Sequence, residues 1–261
     1  MSDEPRIHPT AQIHQDAKLA DDVRVEAFSI IGPNVEIGAG SWIGPHVVIN
    51  GHTRMGKENK VFQFTCIGEE PQHLAYKGEP TRVEIGDRNV IREFCTIHRG
   101  TVIDNSLTVI GDDNLLMAYG HIAHDCVMGN RNIMANGVSL AGHVIIADQC
   151  LFGGFALVHQ FVRVGRMAFL GYATGVSKDV PPFVRCADHT SVPYGINSVG
   201  MKRAGYTSTD VNQVKAHYKT IYRSNLRMVE AQKVLAEAAE NDPFAKEYAE
   251  FLEGSKRGII R

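Results

Sequence analysis

Residues 110–176 decide the fold: IGDDNLLMAYGHIAHDCVMGNRNIMANGVSLAGHVIIADQCLFGGFALVHQFVRVGRMAFLGYATGV. Every sixth residue is aliphatic or aromatic, in the order Ile110, Leu116, Ile122, Met128, Met134, Leu140, Ile146, Phe152, Val158, Val164, Leu170, Val176. A period of six matches neither a helix nor a single long strand, so the repeat has to be read before ordinary secondary structure. Upstream the same register runs from Ile7 through Ile13, Leu19, Val25, Ile31, Ile37, Ile43, Ile49, Met55 and Val61 to Ile67, and it resumes at Ile85, Ile91 and Ile97. Four residues past most register positions the side chain is small, as at Ala11, Ala17, Ser29, Ser41, Thr65, Thr101, Ala156 and Thr174. This is a hexapeptide repeat, and it predicts a mainly β fold, a left-handed parallel β-helix. Three short strands make each triangular coil, and coils stack about 4.8 Å apart with aliphatic residues inside and small residues at the corners.

The register breaks near 68–84 and 98–109, which predicts two loops extruded from the coil over residues 1–180. Loops on a rigid scaffold are common carriers of function. Pro181 and Pro182 cannot donate to a strand ladder, so the coil is expected to end near Val180. Residues 181–261 then read as a linker and a small helical domain. Apolar residues at helical spacing (Val211, Val214, His217, Tyr218, Ile221, Tyr222) predict a helix over 208–224, with Thr207 or Ser208 as its N-cap. Two more are predicted over 226–239 and 243–253, the last framed by Asp242, Pro243 and Gly254.

Composition narrows the function. The 261 residues carry 27 Lys and Arg against 29 Asp and Glu, a balance with no global field for nucleic acid or anionic membrane. The N-terminus lacks the basic start and apolar run of a signal peptide, and no stretch reaches the ~18 apolar residues of a membrane span, so a cytoplasmic protein is expected. Five cysteines, none in a CxxC pair, read as reduced thiols without metal. Cys95, Cys126 and Cys150 fall at the small corner position, where packing accounts for them.

Histidines are the candidates for chemistry. Residues 124, 142 and 160 are separated by one coil of 18 residues, which stacks His124, Gly142 and Gln160 on one ridge and sets His143 over Asp125. A base, a glycine whose N–H can approach a substrate, and an amide are the ingredients of acyl transfer to a hydroxyl.

The motifs HIAHDC (121–126), LAGHV (140–144), VHQF (158–161), GEPTRVEIGDRNVIRE (78–93) and TIHRGT (96–101) resemble the UDP-N-acetylglucosamine 3-O-acyltransferase family, and the likeness runs from IHPTA near the N-terminus to the final RGIIR. The resemblance implies the first step of lipid A synthesis, a homotrimer with sites between neighbouring coils, and a hydroxyacyl chain delivered on acyl carrier protein to a UDP-amino sugar. It implies no metal and no cofactor. His124 would be the general base, Asp125 its orienting partner, and the Gly142 N–H an oxyanion donor. Gln72, His121, His143, His159, Gln160, Asn197 and Arg203 match substrate-holding positions. Tyr172 stands where a glycine admits a long acyl chain, 48 residues or ~13 Å beyond His124, which implies a short chain of roughly ten to twelve carbons. His73, Ala75, Val199 and Ala204 depart from the family pattern and leave a 3-amino acceptor open. The basic residues Lys202, Arg203, Lys215, Lys219, Arg223, Arg227 and Lys233 offer a dock for an acidic carrier. A zinc-dependent β-helical carbonic anhydrase and a noncatalytic binding scaffold are the competing readings.

Overall fold

The structure is a computed structural model, described here for residues 5–261. Its strands are mostly two residues long and form three sheets of nine, eight and ten strands, each sheet taking every third strand in chain order until the ten-stranded sheet gains two further strands at its C-terminal end. The left-handed parallel β-helix expected from the hexapeptides is the fold that forms. The register is one coil of 18 residues: His121 pairs with Ser139 and Ser139 with Leu157. In the strands up to Val176 the second residue points inward, so Ile31, Ile43, Ile67, Ile97, Leu116 and Ile122 are all buried. Each contributes on the order of 1.5–3 kcal/mol by leaving water.

Small corner residues close the turns. Ser29 Oγ donates to Gly44 O at 2.6 Å and accepts from Val47 N–H at 3.1 Å. Cys126 and Cys150 occupy the same place, their thiols directed at Ala141 O and Gly165 O at 3.2 Å each. Burial pushes both thiols up to about 12, well away from thiolate chemistry. A buried asparagine ladder stitches the Cys150 corner, each amide oxygen of Asn59, Asn89, Asn114 and Asn132 accepting the backbone N–H one coil on, the last from Cys150.

Both breaks in register are loops, and both are shorter than the sequence suggests. They span 70–81 and 99–106, because their ends zip into the ladder as the four-residue strands Cys66–Glu69, Arg82–Ile85 and Leu107–Ile110. The coil also outlasts the predicted boundary at Val180. Pro181 and Pro182 sit between strands rather than in one, so Val184–Ala187 still adds in parallel to Phe169–Leu170, and Val192–Ile196 returns antiparallel.

Four helices follow: α1 (Ser198–Arg203), α2 (Ser208–Tyr222), α3 (Met228–Ala238) and α4 (Pro243–Glu253). The last three are those expected. Thr207 and Asp210 cap α2 reciprocally, and Asp242 caps α4 by accepting from Phe244 and Ala245 N–H. The apolar face of α2 buries Val211, Val214, His217 and Ile221 against α4 and Phe183, while Tyr218 turns to the coil's own core and donates to Pro193 O. Arg166 pins this layer to the coil with two bonds to Glu247, at 3.0 and 2.5 Å. No helix among the described residues is long and apolar enough to cross a membrane.

Candidate active site

The ridge forms as the 18-residue spacing requires. His143 N–H donates to His124 O and Phe161 N–H to Gly142 O, one coil apart in each case. Gly142 has a steric reason to lack a side chain: a Cβ there would stand 2.5 Å from His124 Cε1 and 2.8 Å from Nε2. The imidazole therefore lies directly on the Gly142 backbone, whose N–H finds no acceptor among the described residues.

Neighbouring strand residues point to opposite faces, so His124 and Asp125 could meet only at a turn. They do. Asp125 has φ +60, a left-handed corner that curls its carboxylate back, and His124 Nδ1 lies 2.8 Å from Asp125 Oδ2. The carboxylate is 3% exposed. Thr101 donates to it twice, from N–H at 2.8 Å and Oγ1 at 2.6 Å, while Thr108 Oγ1 accepts the Asp125 N–H at 2.9 Å. Burial works to raise this carboxyl, but the bonds from His124 and Thr101 outweigh it and hold it below the usual range. A carboxylate fixed this way accepts a hydrogen bond from the Nδ1–H of His124 and leaves Nε2 as a free lone pair.

Three more aromatic residues wall the site. His143 crosses His124 at 5.1 Å between ring centroids, stacks on Phe161 at 4.4 Å, and binds Asp104 from the second loop, Nδ1 to Oδ2, at 3.0 Å. The first loop brings His73 edge-to-face with His124 at 5.2 Å. That loop is held by Arg99, which donates to Gly68 O and to the Tyr76 hydroxyl at 2.8 Å each. Deeper in the same face His121 bonds Thr96 Oγ1 at 2.8 Å and meets His98 at 5.3 Å. Burial, reinforced by neighbouring histidines, lowers both, His121 to about 4.

A family model for UDP N-acetylglucosamine O-acyltransferase, domain 2, matches residues 179–260. An acyl-[acyl-carrier-protein]–UDP-N-acetylglucosamine O-acyltransferase of Herminiimonas arsenicoxydans is 51% identical over 260 residues, covering 98% of this chain and 99% of that protein. The chain belongs to this acyltransferase family, LpxA. Solved LpxA from Acinetobacter baumannii superposes with a TM-score of 0.95 at 44% identity, covering 98% of this chain and all of that one. The UDP-N-acetylglucosamine acyltransferase of Campylobacter jejuni gives 0.92 at 35% identity, covering 97% and 98%.

Against the LpxA expectations, the structure gathers His124, Asp125, Gly142 and His143 into one cluster, with His121 and the loop that carries Gln72 alongside. His159 and Gln160 continue the ridge at the surface, one coil past Ala141 and Gly142. Asn197 serves its own helix: its Oδ1 accepts from Gly200 N–H and its Nδ2 donates to Met167 O, so it caps α1. Arg203, in the last turn of α1, is exposed. Tyr172 is 73% exposed with its ring 6.1 Å from Phe155, so it stands outside the coil rather than packing into it. Thr101 and Asp104 went unread as site residues, and His73 was marked only as a departure from the family pattern. Thr101 lay hidden in the small-corner pattern, and the two loop residues carry no periodicity that would place them.

Proposed function

We propose that this LpxA family member transfers an (R)-3-hydroxyacyl chain from acyl carrier protein to the 3-hydroxyl of UDP-N-acetylglucosamine, the first step of lipid A synthesis, in the cytoplasm. The observation that carries the reading is His124 seated on Gly142 with Nδ1 bound to buried Asp125. Nε2 takes the proton of the sugar 3-hydroxyl as its oxygen attacks the thioester carbonyl. The Gly142 N–H, still without an acceptor, receives the oxyanion, a contribution of about 3 kcal/mol when one such donor is lost. The tetrahedral intermediate collapses with cleavage of the C–S bond, and the proton on His124 goes to the departing thiolate.

Gln72, His121, His143, His159, Gln160, Asn197 and Arg203 hold the nucleotide sugar, and Tyr172 stops the acyl chain. Lys202, Arg203, Lys215, Lys219 and Arg223 are exposed and form no ion pair among the described residues, which suits them to an acidic carrier. The working form is a homotrimer. In support, one corner carries exposed aromatic rings stacked from Phe28 to Tyr119, a surface suited to a second copy.

The donor atoms of His124, Asp125 and His143 also lie within 4.8 Å of one another, a set chemically able to hold zinc. The bonds that Asp125 already accepts from Thr101 and His124 favour the base–carboxylate pair instead.

Mass spectrometry of products from hydroxyacyl carrier proteins of several lengths, offered with UDP-N-acetylglucosamine and its 3-amino analogue, tests the reading. Wild type is expected to acylate the hydroxyl with a ten- to twelve-carbon chain, indifferent to chelator, and His124→Ala to lose about 10³-fold or more. Tyr172→Gly is expected to lengthen the preferred chain; an unchanged preference removes the tyrosine from that role. No product from any pair would leave a binding scaffold.

A further inference from the structure

The chain's last residues return from α4 to the coil. Ser255 Oγ donates to Asp179 Oδ2 at 2.7 Å, Asp179 N–H donates to Gly258 O at 3.0 Å, and Ile260 N–H donates to Asp179 O at 3.0 Å. Ile259 and Ile260 are buried behind these bonds. Arg257 therefore stands on backbone clamped from both sides. Its guanidinium is held too, with Nε and Nη2 each 3.3 Å from Ser177 O and Nη2 3.4 Å from His159 Nδ1.

Arg257 is exposed and forms no ion pair among the described residues, and the same holds for Lys178. Leu157 and Val158 pair with Gly175 and Val176, so Ser177 and Lys178 follow His159 and Gln160 on the next coil of the ridge that begins at His124. A restrained arginine usually has a carboxylate to answer it, since holding that long side chain costs rotamer freedom. Here the nearby carboxylate, Asp179, is buried and taken up by Ser255 Oγ and Arg163 N–H, Lys178 precedes it in the chain, and the His159 imidazole lies alongside. The planar fork of a guanidinium matches the oxygens of a phosphate.

We propose that Arg257, with Lys178 and His159, forms a subsite for a phosphate group of a substrate, two to three coils or roughly 10–14 Å from His124. The inference rests on the acyl-transfer reading, in which both substrates carry phosphate. The nucleotide sugar brings a diphosphate and the carrier's prosthetic arm a phosphodiester.

Arg257→Gln and Lys178→Gln, made in the full chain, separate these sources when KM is measured for each substrate with the other saturating. The expected result is a rise of about tenfold in one KM with kcat kept within twofold, and partial recovery in Arg257→Lys. A moved KM for the nucleotide sugar assigns the diphosphate; a moved KM for the carrier assigns its arm. Both KM values unchanged, or a fall in kcat alone that tracks a lower Tm, overturns the subsite. Calorimetric titration with UDP and with phosphopantetheine keeps the test independent of turnover. If wild type transfers no acyl chain, the acyl-transfer reading fails, and the subsite stands only if one of these probes binds wild type and binds Arg257→Gln more weakly.

Discussion

Asp125, His143 and Phe161 form one column of left-handed corner residues, and Phe28, His46, Phe64, Phe94 and Tyr119 form another, all with φ between 57 and 63. Such a conformation costs an L residue about 1–2 kcal/mol, and ring stacking returns part of it. Both columns stack: His143 lies 4.4 Å from Phe161, and the rings of the second column follow at 5.0 to 5.2 Å. Their surroundings differ. Asp125 and His143 are 3% and 9% exposed beneath Thr101, Asp104 and His73, and Phe161 at the end of that column opens to 49%, whereas Phe28, Phe64 and Tyr119 are 56%, 50% and 62% exposed. The coil supplies spacing and a rigid corner to both. Within the single chain, the inserted loops cover only one of them and add the hydrogen bonds that fix a carboxylate beside an imidazole.

The contrast can be broken most severely at Gly142. A methyl group there would collide with His124, so Gly142→Ala is expected to lower kcat/KM by about 10²-fold or more, with a small change in Tm. Activity near wild type would mean that His124 works from some other position. A milder break removes one loop contact: Thr101→Val deletes the Oγ1 bond to Asp125 at nearly constant volume. A bond to a charged group is worth about 1.5–3 kcal/mol, so roughly a tenfold loss in kcat is expected. The Asp125 carboxyl should also titrate higher, which a pH–rate profile would register. Phe64→Ala in the other column should leave the pH at which that profile turns unchanged, any loss of activity coming from weaker association of copies.

The smallest effect concerns stability. His121 titrates near 4 in the folded chain against 6.5 unfolded, so the unfolded state takes up its proton first. Its neutral form favours folding fully above pH 6.5, and that contribution falls away as pH drops toward 4. Denaturant titrations across this window should show the decline, and His121→Gln should flatten it.

Much of the fold could be read from the sequence because the coil is a repeat: one register of aliphatic residues fixes strand, face and stacking partner together. The same arithmetic placed His143 over Asp125 and Gly142 over His124. It could not reach His73 or Asp104, whose positions depend on how an aperiodic loop travels back over the coil. Phe64 and Tyr119 in left-handed corners carry no sequence signal either, since bulky residues rarely adopt that conformation. The six-residue α1 was too short to show a period, so the capping role of Asn197 could not be read beside the one the resemblance implied. Pro181 and Pro182 marked a real interruption of the backbone but not the end of the sheet.

The stacking of coils also sets the grain of any length gauge built along them. One coil advances about 4.8 Å, roughly four methylenes of an extended chain. Moving a blocking ring by one repeat would change the admitted lipid in a coarse jump, while exchanging ring sizes within a position would tune it by single carbons. On a scaffold of this kind such a gauge would select among discrete product sizes.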